Sequence, residues 1–453
     1  MKNKLTTVPT PTIWSQLNAD SQSSLLARPA QQENLQLQQQ VADIIASVRV
    51  GGDTALASYT EKFDGVSSRT ITLDATLAES LSSDVITAID LAYENIRCFH
   101  ALQQPKNLTT ETSQGVVCEL KFTPFDAVGL YIPGGTAVLP STVLMLGVLA
   151  QLAGCRERIL VTPPNKLGAL SPAVAYAAMK CGVTRVVLAG GAQAIAALAF
   201  GTETIPAVDK IFGPGNSFVT AAKQQVSQLI NGPAIDLPAG PSELLVIADE
   251  TAEPAFVAAD LLSQAEHGAD SQVICLSPSL TLLKAIQLQL EQQLQALPRQ
   301  NIAQQALAKS SLIVTTDLAE AIAISQRYAP EHLSLQIASN KQKAALAQLT
   351  NAGSIFVGHY TPESGGDYAT GTNHVLPTYG FARNYSSLGL LDFYRRYTVQ
   401  SMSPKGLANL GQTIMTLAEL EQLDAHARAV AVRLNSQRFE LDTSASLEGT
   451  NND

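Results

Sequence analysis

The stretch AVGLYIPGGTAVLPSTVLMLGVLAQLAGCRERILVTPP, residues 127–164, decides the fold class of this chain. It has the pattern of an apolar strand, a Gly/Pro-containing loop, a helix and a second strand. The apolar run 136–154 is long enough to resemble a membrane span, but Pro140 near its start and the flanking strands favour a buried helix. Strands and helices in this order predict a parallel, doubly wound sheet that binds ligands at the carboxyl ends of its strands.

The same alternation continues on both sides of the Gly/Pro-rich phrase NGPAIDLPAGPSE, residues 231–243. It predicts two doubly wound, incomplete Rossmann-like units. Residues 34–110 have helical periodicity and form an N-terminal helical segment, and the residues from 381 onward predict a small C-terminal helical arm. The last residues, LDTSASLEGTNND, have the composition of a disordered tail.

Composition limits the functional class. The 453 residues are 46% hydrophobic and 15% charged, with a net charge of −10, which is typical of a soluble globular protein of several domains. This charge argues against nucleic acid or an anionic membrane as a partner. The five cysteines are scattered without a CxxC spacing, and the N-terminus has no apolar signal region, so we expect free thiols and a cytoplasmic location.

Few histidines are present, six in all, and their positions are informative. Gln264 and His267 lie three residues apart in a predicted helix, where both side chains share one face and either bind a metal ion or line an exposed surface. Asp367, in a Gly-containing loop, offers a third ligand or is a turn residue. His426 offers a fourth ligand or lies on a helix surface, and its separation from Glu421 corresponds to about 140° on an ideal helix.

Glu331 and His332 lie at a helix-to-strand junction just after Pro330. A carboxylate and an imidazole together suit a reaction with several proton transfers near neutral pH. A regular strand projects adjacent side chains to opposite faces, so both serve one reaction only if the local backbone is irregular. The alternative is a solvated Glu-His pair.

Glycine-rich turns between strands and helices occur at 190–193 and 213–216. Free amides at a helix N-terminus favour a phosphate, although neither turn is a GxGxxG fingerprint and both are also explained as tight connections. Tyr131, at a third strand end, either stacks on a base or packs in the core.

Seven phrases, in order and over nearly the whole chain, resemble the histidinol dehydrogenase family: LYIPGGTAVLPSTVLM, LAGGAQAIAALAFGT, KIFGPGNSFV, DLPAGPSELLVIAD, LLSQAEHGADSQ, YAPEHL and GDYATGTNHVLPTYGFAR. The resemblance implies a cytoplasmic, zinc-dependent enzyme that oxidises L-histidinol to L-histidine through histidinal and reduces two NAD. This is the final step of histidine biosynthesis.

Residue by residue, the resemblance assigns four groups of site residues. Zinc ligands are Gln264, His267, Asp367 and His426; catalytic residues are Glu331 and His332; NAD contacts are Tyr131, Gln193 and Asn216. Substrate contacts are Ser242 and Glu421, with His332 and the four zinc ligands. It also implies a homodimer with shared active sites, in which the C-terminal segment reaches into the partner's site.

The expected domains are an N-terminal segment (1–33), a main α/β domain with the zinc ligands and the Glu-His pair (34–124 with 239–380), an inserted NAD-binding domain (125–238) and a C-terminal dimerisation arm (381–453). Two alternatives remain open on the residues. A zinc hydrolase acting on a small amine or amide needs no Gly-rich strand ends in the first unit. A two-lobed small-molecule binding protein is commonly exported, and this N-terminus has no signal.

Overall fold

The computed structural model describes residues 8–29, 35–134, 139–165, 167–238 and 240–436. The predicted tail falls outside them. The strands, in chain order, are β1 Pro11–Ile13, β2 Arg69–Ile71, β3 Leu108–Ser113, β4 Val116–Pro124, β5 Ala127–Tyr131, β6 Glu157–Thr162, β7 Arg185–Leu188, β8 Lys210–Phe212, β9 Ala234–Ile235, β10 Glu243–Ala248, β11 Gln272–Ser277, β12 Ser311–Val314, β13 His332–Gln336, β14 Ser354–Val357 and β15 Tyr394–Met402.

The α-helices, in chain order, are α1 Ala19–Leu25, α2 Leu35–Asp64, α3 Ser83–Ala101, α4 Pro140–Ala153, α5 Pro172–Lys180, α6 Gly191–Phe200, α7 Ser217–Ser227, α8 Pro254–Ala265, α9 Leu280–Leu294, α10 Gln300–Leu307, α11 Leu318–Tyr328, α12 Ser339–Leu346, α13 Glu363–Tyr368, α14 Pro404–Leu420 and α15 Asp424–Leu434. None of the helices in the described residues is long and apolar enough to cross a membrane.

Two compact units divide the chain. The first comprises Met1–Gln103 with Phe125–Phe393, and the second comprises Gln104–Pro124 with Tyr394–Asp453. The first unit contains two six-stranded sheets, which we call the β5 sheet (order β2-β7-β6-β5-β8-β9) and the β10 sheet (order β1-β12-β11-β10-β13-β14). The predicted fold class, two incomplete doubly wound α/β units, is confirmed.

The β5 sheet is parallel except for its edge strand β2, which pairs antiparallel with β7. Its central strand β5 is an entirely buried apolar run, as expected for a parallel sheet covered on both faces. Chain order reverses between β5 and β8, so the carboxyl ends of these strands border the crevice where doubly wound folds bind ligands. Helix α4 begins with Pro140 and ends at Ala153, and Gly154, with a φ of 84°, supplies the left-handed cap. It is buried along most of its length, as predicted.

The β10 sheet is parallel throughout and reverses its chain order between β10 and β13. Its central strands are buried, and apolar clusters cover both faces. Glu243 and His332 are the first residues of β10 and β13, and Ser242 directly precedes β10. The predicted site residues on this sheet therefore lie at the amino ends of its strands, opposite to the usual ligand-binding edge.

Residues 35–101 pack against the β5 sheet and its helices. Helix α2 packs against α6 and α7, α3 packs against α4, and β2 extends the β5 sheet. The apolar face of α2, formed by Val41, Ile45 and Val48, belongs to the same core cluster as helix α6. Helical periodicity predicts that such a face is buried but does not identify its partner.

A break divides α2 at Gly52, which has φ 50° and ψ −134°. A second helical segment continues from this break to Asp64. Glycine adopts this backbone conformation without the steric cost that other residues meet. The break changes the direction of the chain and gives Asp64 its position at the end of the second segment.

The second unit contains the antiparallel sheet β15-β4-β3 and helices α14 and α15. The sequence predicted neither this sheet nor the pairing of residues 116–124 with 394–402. Their side chains are mostly half-buried or exposed, which leaves a weak hydrophobic pattern. Helix α14 ends at Leu420, Gln422 has a φ of 59°, and α15 starts at Asp424, so a non-ideal turn lies between Glu421 and His426.

Candidate active site

The junction between α11 and β13 holds two predicted site residues side by side. Helix α11 ends at Tyr328, and its cap residue Ala329 has φ 53° and ψ 70°, a left-handed conformation that residues with side chains rarely adopt. Pro330 follows and leads into Glu331 and His332. The Glu331 Oε2 and His332 Nδ1 atoms are 3.5 Å apart. The irregular backbone that the sequence requires for a joint role is therefore present.

The hydrogen bonds of His332 determine which ring nitrogen is available for chemistry. Its Nδ1 donates to the backbone carbonyl of Glu243 at 3.0 Å. Its Nε2 is buried, has no hydrogen-bond partner among the described residues, and lies 3.8 Å from Glu363 Oε1 and 3.9 Å from Asp367 Oδ1. Because a carbonyl oxygen only accepts, Nδ1 carries a proton and Nε2 is the atom that exchanges one.

Glu243 holds both members of the pair through its backbone. Its N–H donates to Glu331 Oε2 at 2.8 Å, while its carbonyl accepts from His332 Nδ1. Its buried carboxylate accepts from Arg28 Nε at 2.5 Å, from Arg28 Nη2 at 2.9 Å and from the Tyr379 N–H at 2.9 Å. Arg28 also donates to the backbone carbonyls that precede Pro330. The amino ends of β10 and β13 are thus fixed by one charged network.

Gln264 and His267 lie at the carboxyl end of α8. Gln264 is 1% exposed, and its Oε1 is buried without a hydrogen-bond partner in the described part of the chain. His267 lies beyond the end of the helix at Ala265, not within it as predicted, because the chain turns there after the cap residue Glu266. Its Nδ1 donates to the Ser263 carbonyl at 3.0 Å. This fixes the tautomer and leaves Nε2 as the free ligand atom.

Asp367 faces both histidines. Its Oδ2 is 4.0 Å from His267 Nε2, and its Oδ1 is 3.9 Å from His332 Nε2. The residue lies in the short helix α13 rather than in the predicted loop, because Gly366 packs so close to Phe356 that a Cβ there would be 2.6 Å from the ring. Helix α13 thereby holds Asp367 against the amino edge of the β10 sheet.

Burial and crowding of carboxylates perturb the titration of this cluster. Burial and then the neighbouring Glu363 raise the pKa of Asp367 to about 7, against the opposing effect of the two histidines. Burial alone lowers the pKa of His332, but the carboxylates of Glu331, Glu363 and Asp367 outweigh it and raise the pKa to about 10. Burial and then Glu363 raise the pKa of Asp260 to about 7. Such a concentration of buried negative charge is typical of a cation site or a proton-transfer site.

Two residues of the cluster were missed by the sequence interpretation. Glu363 is fully buried, accepts from Ser263 Oγ at 2.8 Å and leaves its Oε1 without a hydrogen-bond partner among the described residues. His374 donates from Nδ1 to the Asp367 carbonyl at 3.0 Å and pairs through Nε2 with Thr142 Oγ1 at 3.2 Å. Burial lowers the pKa of His374 to about 4, so this ring is neutral. His374 lies in the quoted phrase around Asp367, where the scarcity of histidine was a usable signal, whereas Glu363 lies three residues before that phrase.

Six of the predicted residues line one cavity of about 190 Å³, together with His374: Ser242, Gln264, His267, Glu331, His332 and Asp367. Its described walls also include Gly213 and Pro214 from the end of β8, so the two sheets of the first unit both contribute. His332, Glu363 and Asp367 form a group whose ligand atoms lie within 4.8 Å of one another and suit a metal ion. Glu421 and His426 lie in the second unit, at the cap of α14 and in the first turn of α15.

A second cavity, of about 670 Å³, lies at the carboxyl ends of the β5 sheet, and we call it the dinucleotide crevice. A narrower cavity of about 60 Å³ shares five lining residues with it. It shares Leu139 with the cavity of about 190 Å³ lined by His332 and Asp367, which we call the catalytic cavity. The described residues that line the dinucleotide crevice are Ile44, Phe63, Asp64, Tyr131, Pro133, Gly134, Pro163, Pro164, Asn165, Gly191, Ala192, Gln193, Asn216 and Phe218.

All three residues predicted to contact NAD line this crevice. Gln193 is buried on α6, and Tyr131, whose pKa burial raises to about 12, accepts from the Gly191 N–H at 3.2 Å. Asn216 caps α7 by accepting from the Val219 N–H through Oδ1, which leaves its amide N–H groups for a ligand. Gly213, with φ 116°, brings the backbone so close to Tyr131 that a Cβ there would be 2.1 Å from the Tyr131 carbonyl oxygen.

A parallel α/β fold with a crevice at the switch point of one sheet, together with a buried His-carboxylate cluster, is typical of dinucleotide-dependent dehydrogenases. The chain belongs to the histidinol dehydrogenase family, whose sequence model matches residues 26–434. It is therefore an NAD-dependent oxidoreductase of the final step of histidine biosynthesis, and the resemblance seen in the sequence is confirmed.

Curated relatives and a solved structure agree with this assignment. A histidinol dehydrogenase from Idiomarina loihiensis is 58% identical over 431 residues, which cover 94% of this chain and 97% of the relative. One from Colwellia psychrerythraea is 53% identical and covers 93% and 98%. The crystal structure of histidinol dehydrogenase from Elizabethkingia anophelis superposes with a TM-score of 0.89 at 46% identity, covering 95% of this chain and 99% of that one.

Proposed function

We propose that this chain oxidises L-histidinol to histidinal and then, through the aldehyde hydrate, to L-histidine in the catalytic cavity, with one NAD reduced in each step. The single observation that carries the proposal is the cavity itself. It combines a proton-exchanging imidazole, a carboxylate beside it and three metal-binding side chains next to a dinucleotide-sized crevice.

The residues present fit a zinc ion. Gln264 Oε1 is a buried atom without a hydrogen-bond partner in the described residues, and His267 Nε2 is left free by the bond at Nδ1. The 4.0 Å between His267 Nε2 and Asp367 Oδ2 is close to the separation of about 3 to 4 Å expected between two ligands of one zinc ion. Gln264, His267 and Asp367 would hold the ion, with His426 from a second copy as the fourth ligand. Bound zinc supplies a Lewis acid that fixes the imidazole and amine of the substrate.

The proton transfers fall to the chain's own residues. His332 accepts the alcohol proton at Nε2 as hydride leaves for NAD, and its Nδ1 bond to Glu243 keeps the ring oriented. Glu331 removes a proton from water so that the water adds to the aldehyde. His332 then releases the first proton to solvent. The second hydride leaves the hydrate for a second NAD, and the neutral His332 accepts the hydroxyl proton at Nε2. Ser242 and Glu421 hold polar groups of the substrate.

The cofactor lies in the dinucleotide crevice, where Tyr131, Gln193 and Asn216 contact it. The narrower cavity shares lining residues with both the crevice and the catalytic cavity, which supports a nicotinamide that enters near Leu139 and Gly213. The expected grouping into main, inserted and C-terminal domains stays a prediction, as do the cytoplasmic location and the homodimer with shared sites.

An assay of NADH formation with metal analysis on the same sample tests the proposal. We expect two NADH per histidinol, about one zinc per subunit and loss of turnover after chelation, restored by added zinc. Full activity in a demonstrably metal-free preparation would remove the zinc role. One NADH per histidinol, with histidinal accumulating, would remove the second oxidation.

The alternative of a zinc hydrolase is not favoured. Such an enzyme would use the same ligands and Glu331 as general base, but it would leave the dinucleotide crevice without a purpose. The family match gives no support to hydrolysis.

A further inference from the structure

Asp64 is the one charged side chain among the described residues that line the dinucleotide crevice. It is the last residue of α2, and its position follows from the break at Gly52. One of its carboxylate oxygens, Oδ2, is buried and has no hydrogen-bond partner within the described residues. A buried acceptor without a partner costs free energy, so a donor from outside the chain is expected to meet it.

The surroundings of Asp64 show which part of a dinucleotide it meets. The backbone N–H of Gly190, at the start of α6, lies close enough to the carboxylate to lower its pKa against the effect of burial. The next amide, of Gly191, is already bonded to the Tyr131 hydroxyl. The turn that the sequence offered as a phosphate site therefore has the Gly191 amide occupied and a carboxylate in front of the Gly190 amide. A neutral hydroxyl donor fits this position, whereas a phosphate is repelled.

Strand order indicates that the donor belongs to the adenosine half of the cofactor. Gly190 follows β7, whereas Gly213, which borders the catalytic cavity, follows β8. The order β7-β6-β5-β8 separates their ends by three strand spacings, about 14 Å in total. A nicotinamide at the catalytic cavity leaves the adenosine ribose of an extended dinucleotide at about that distance.

We propose that Asp64 binds the 2′,3′-diol of the adenosine ribose and thereby makes the enzyme selective for NAD over NADP. The inference rests on the proposed position of NAD in the dinucleotide crevice. A 2′-phosphate would replace the diol with a multiply charged anion beside a carboxylate. The described lining residues contain no lysine or arginine to offset that charge.

The test compares Asp64→Asn and Asp64→Ser with Glu61→Gln, a matched control that removes one charge from an exposed position one turn earlier in α2. We expect both Asp64 variants to lose about ten- to a hundredfold in kcat/KM for NAD, mostly through KM, the range for a hydrogen bond to a charged group. With Asp64→Ser, kcat/KM for NADP rises, and the preference for NAD falls at least about tenfold. The Glu61→Gln variant keeps the preference of the parent.

A competition experiment on the unaltered enzyme keeps the proposal testable if the variants fold poorly. ADP-ribose should compete with NAD, whereas 2′-phospho-ADP-ribose should bind at least about tenfold more weakly. Equal binding of the two fragments, or an unchanged cofactor preference in folded Asp64 variants, overturns the inference.

The variant Gln193→Ala separates this inference from the proposed cofactor site. If Gln193→Ala raises the KM for NAD while the Asp64 variants keep the parent preference, only the role proposed for Asp64 is wrong, and the proposed cofactor site stands. If neither change affects NAD, the cofactor does not lie in the dinucleotide crevice, and both proposals fail.

Discussion

His332 is the residue whose surroundings most directly constrain the chemistry. Three carboxylates around the ring raise its pKa to about 10, so without a bound cation the ring is an imidazolium near neutral pH and cannot accept a proton. A divalent cation held by Asp367 would offset part of that negative charge and lower this pKa, so that His332 could act as a base.

Substitutions at the Glu-His pair separate the two proton-transfer roles. We expect His332→Asn to lower the rate of both oxidations by roughly two or more orders of magnitude, the scale of general acid-base catalysis. Glu331→Gln should slow the oxidation of histidinal more than that of histidinol, because only the aldehyde needs an activated water. Single-turnover rates measured separately with each substrate check this, and an equal loss in both after Glu331→Gln contradicts the water-activating role.

For single residues, the sequence predicted which residues belong to the site but not which neighbours surround them. The phrases around Gln264, Glu331 and Asp367 pointed to residues that line one cavity. The buried Glu363 and the cofactor-side Asp64 were missed, because their significance arises from burial and from neighbours distant in sequence. Neither property appears in a local pattern of residue types.

Among the elements, the junction of α11 with β13 depends most on distant contacts. Ala329 keeps its left-handed conformation while Arg28 bonds to its carbonyl, to that of Tyr328 and to the Glu243 carboxylate. The side chains of the Arg28–Glu243 pair are only 16% and 3% exposed, so neither charge has much solvent to replace its partner. The amino ends of β10 and β13 therefore depend on a residue of the N-terminal segment.

Breaking this pair should destabilise the fold. We expect Arg28→Met to lower the free energy of unfolding by about 3 kcal/mol, because it leaves the Glu243 carboxylate buried without its partner. The double variant Arg28→Met/Glu243→Gln should regain a large part of that loss. Urea unfolding measures the free energy of unfolding of the single and the double variant. Arg156→Met is the control: the side chains of the Arg156–Asp126 pair are 71% and 63% exposed, so this pair is expected to contribute below about 1 kcal/mol. Equal effects of Arg28→Met and Arg156→Met contradict the argument.

Asp249, just after the carboxyl end of β10, is expected to make the stability of the protein depend on pH. Burial opposes ionisation of Asp249, but hydrogen bonds from Thr251, Lys341 and the Ala338 N–H outweigh it and lower the pKa to about 2. A carboxyl whose pKa is lowered on folding stabilises the protein above its unfolded value of 3.8, and this contribution is lost as pH falls through about 2.

Asp249→Asn should therefore destabilise the protein at pH 7 by about 1.5 to 3 kcal/mol, the scale of a charged hydrogen bond. The difference from the parent should shrink as pH falls below about 4. Urea unfolding at several pH values measures it, and a difference that stays constant down to pH 3 shows that the ionised form of Asp249 is not what stabilises the fold.

Strands and helices of the two parallel sheets were predictable because each central strand is a continuous apolar run between helices of clear periodicity. The antiparallel sheet of the second unit was not, because strands such as β15 are mostly exposed in this chain and carry no strong pattern. Nor did the sequence show that the β10 sheet presents its amino ends to the site. The edge that is used depends on how two sheets of one unit face each other, which is a tertiary property.

On the scale of the whole molecule, the second unit presents apolar side chains. Leu417, Leu420 and Leu423 around the turn between α14 and α15 are 55%, 79% and 41% exposed, and Val432 on α15 is 53% exposed. Large exposed apolar residues grouped in this way are typical of surfaces that another chain covers. Glu421 and His426 belong to the same segment, which supports a site completed by a second copy.

Complementation between two inactive variants decides whether His426 acts in the site of its own subunit or of its partner. Asp367→Asn and His426→Asn should each abolish most of the activity when expressed alone. If the site is shared between subunits, a mixed dimer of the two has one site with both substitutions and one with neither. Random pairing of equal amounts then restores about a quarter of the parent activity. If both residues belong to one subunit, every site in every dimer keeps one substitution, and activity stays at the level of the single variants. Co-expression with two affinity tags isolates the mixed dimer, for which sharing predicts about half of the parent activity per dimer.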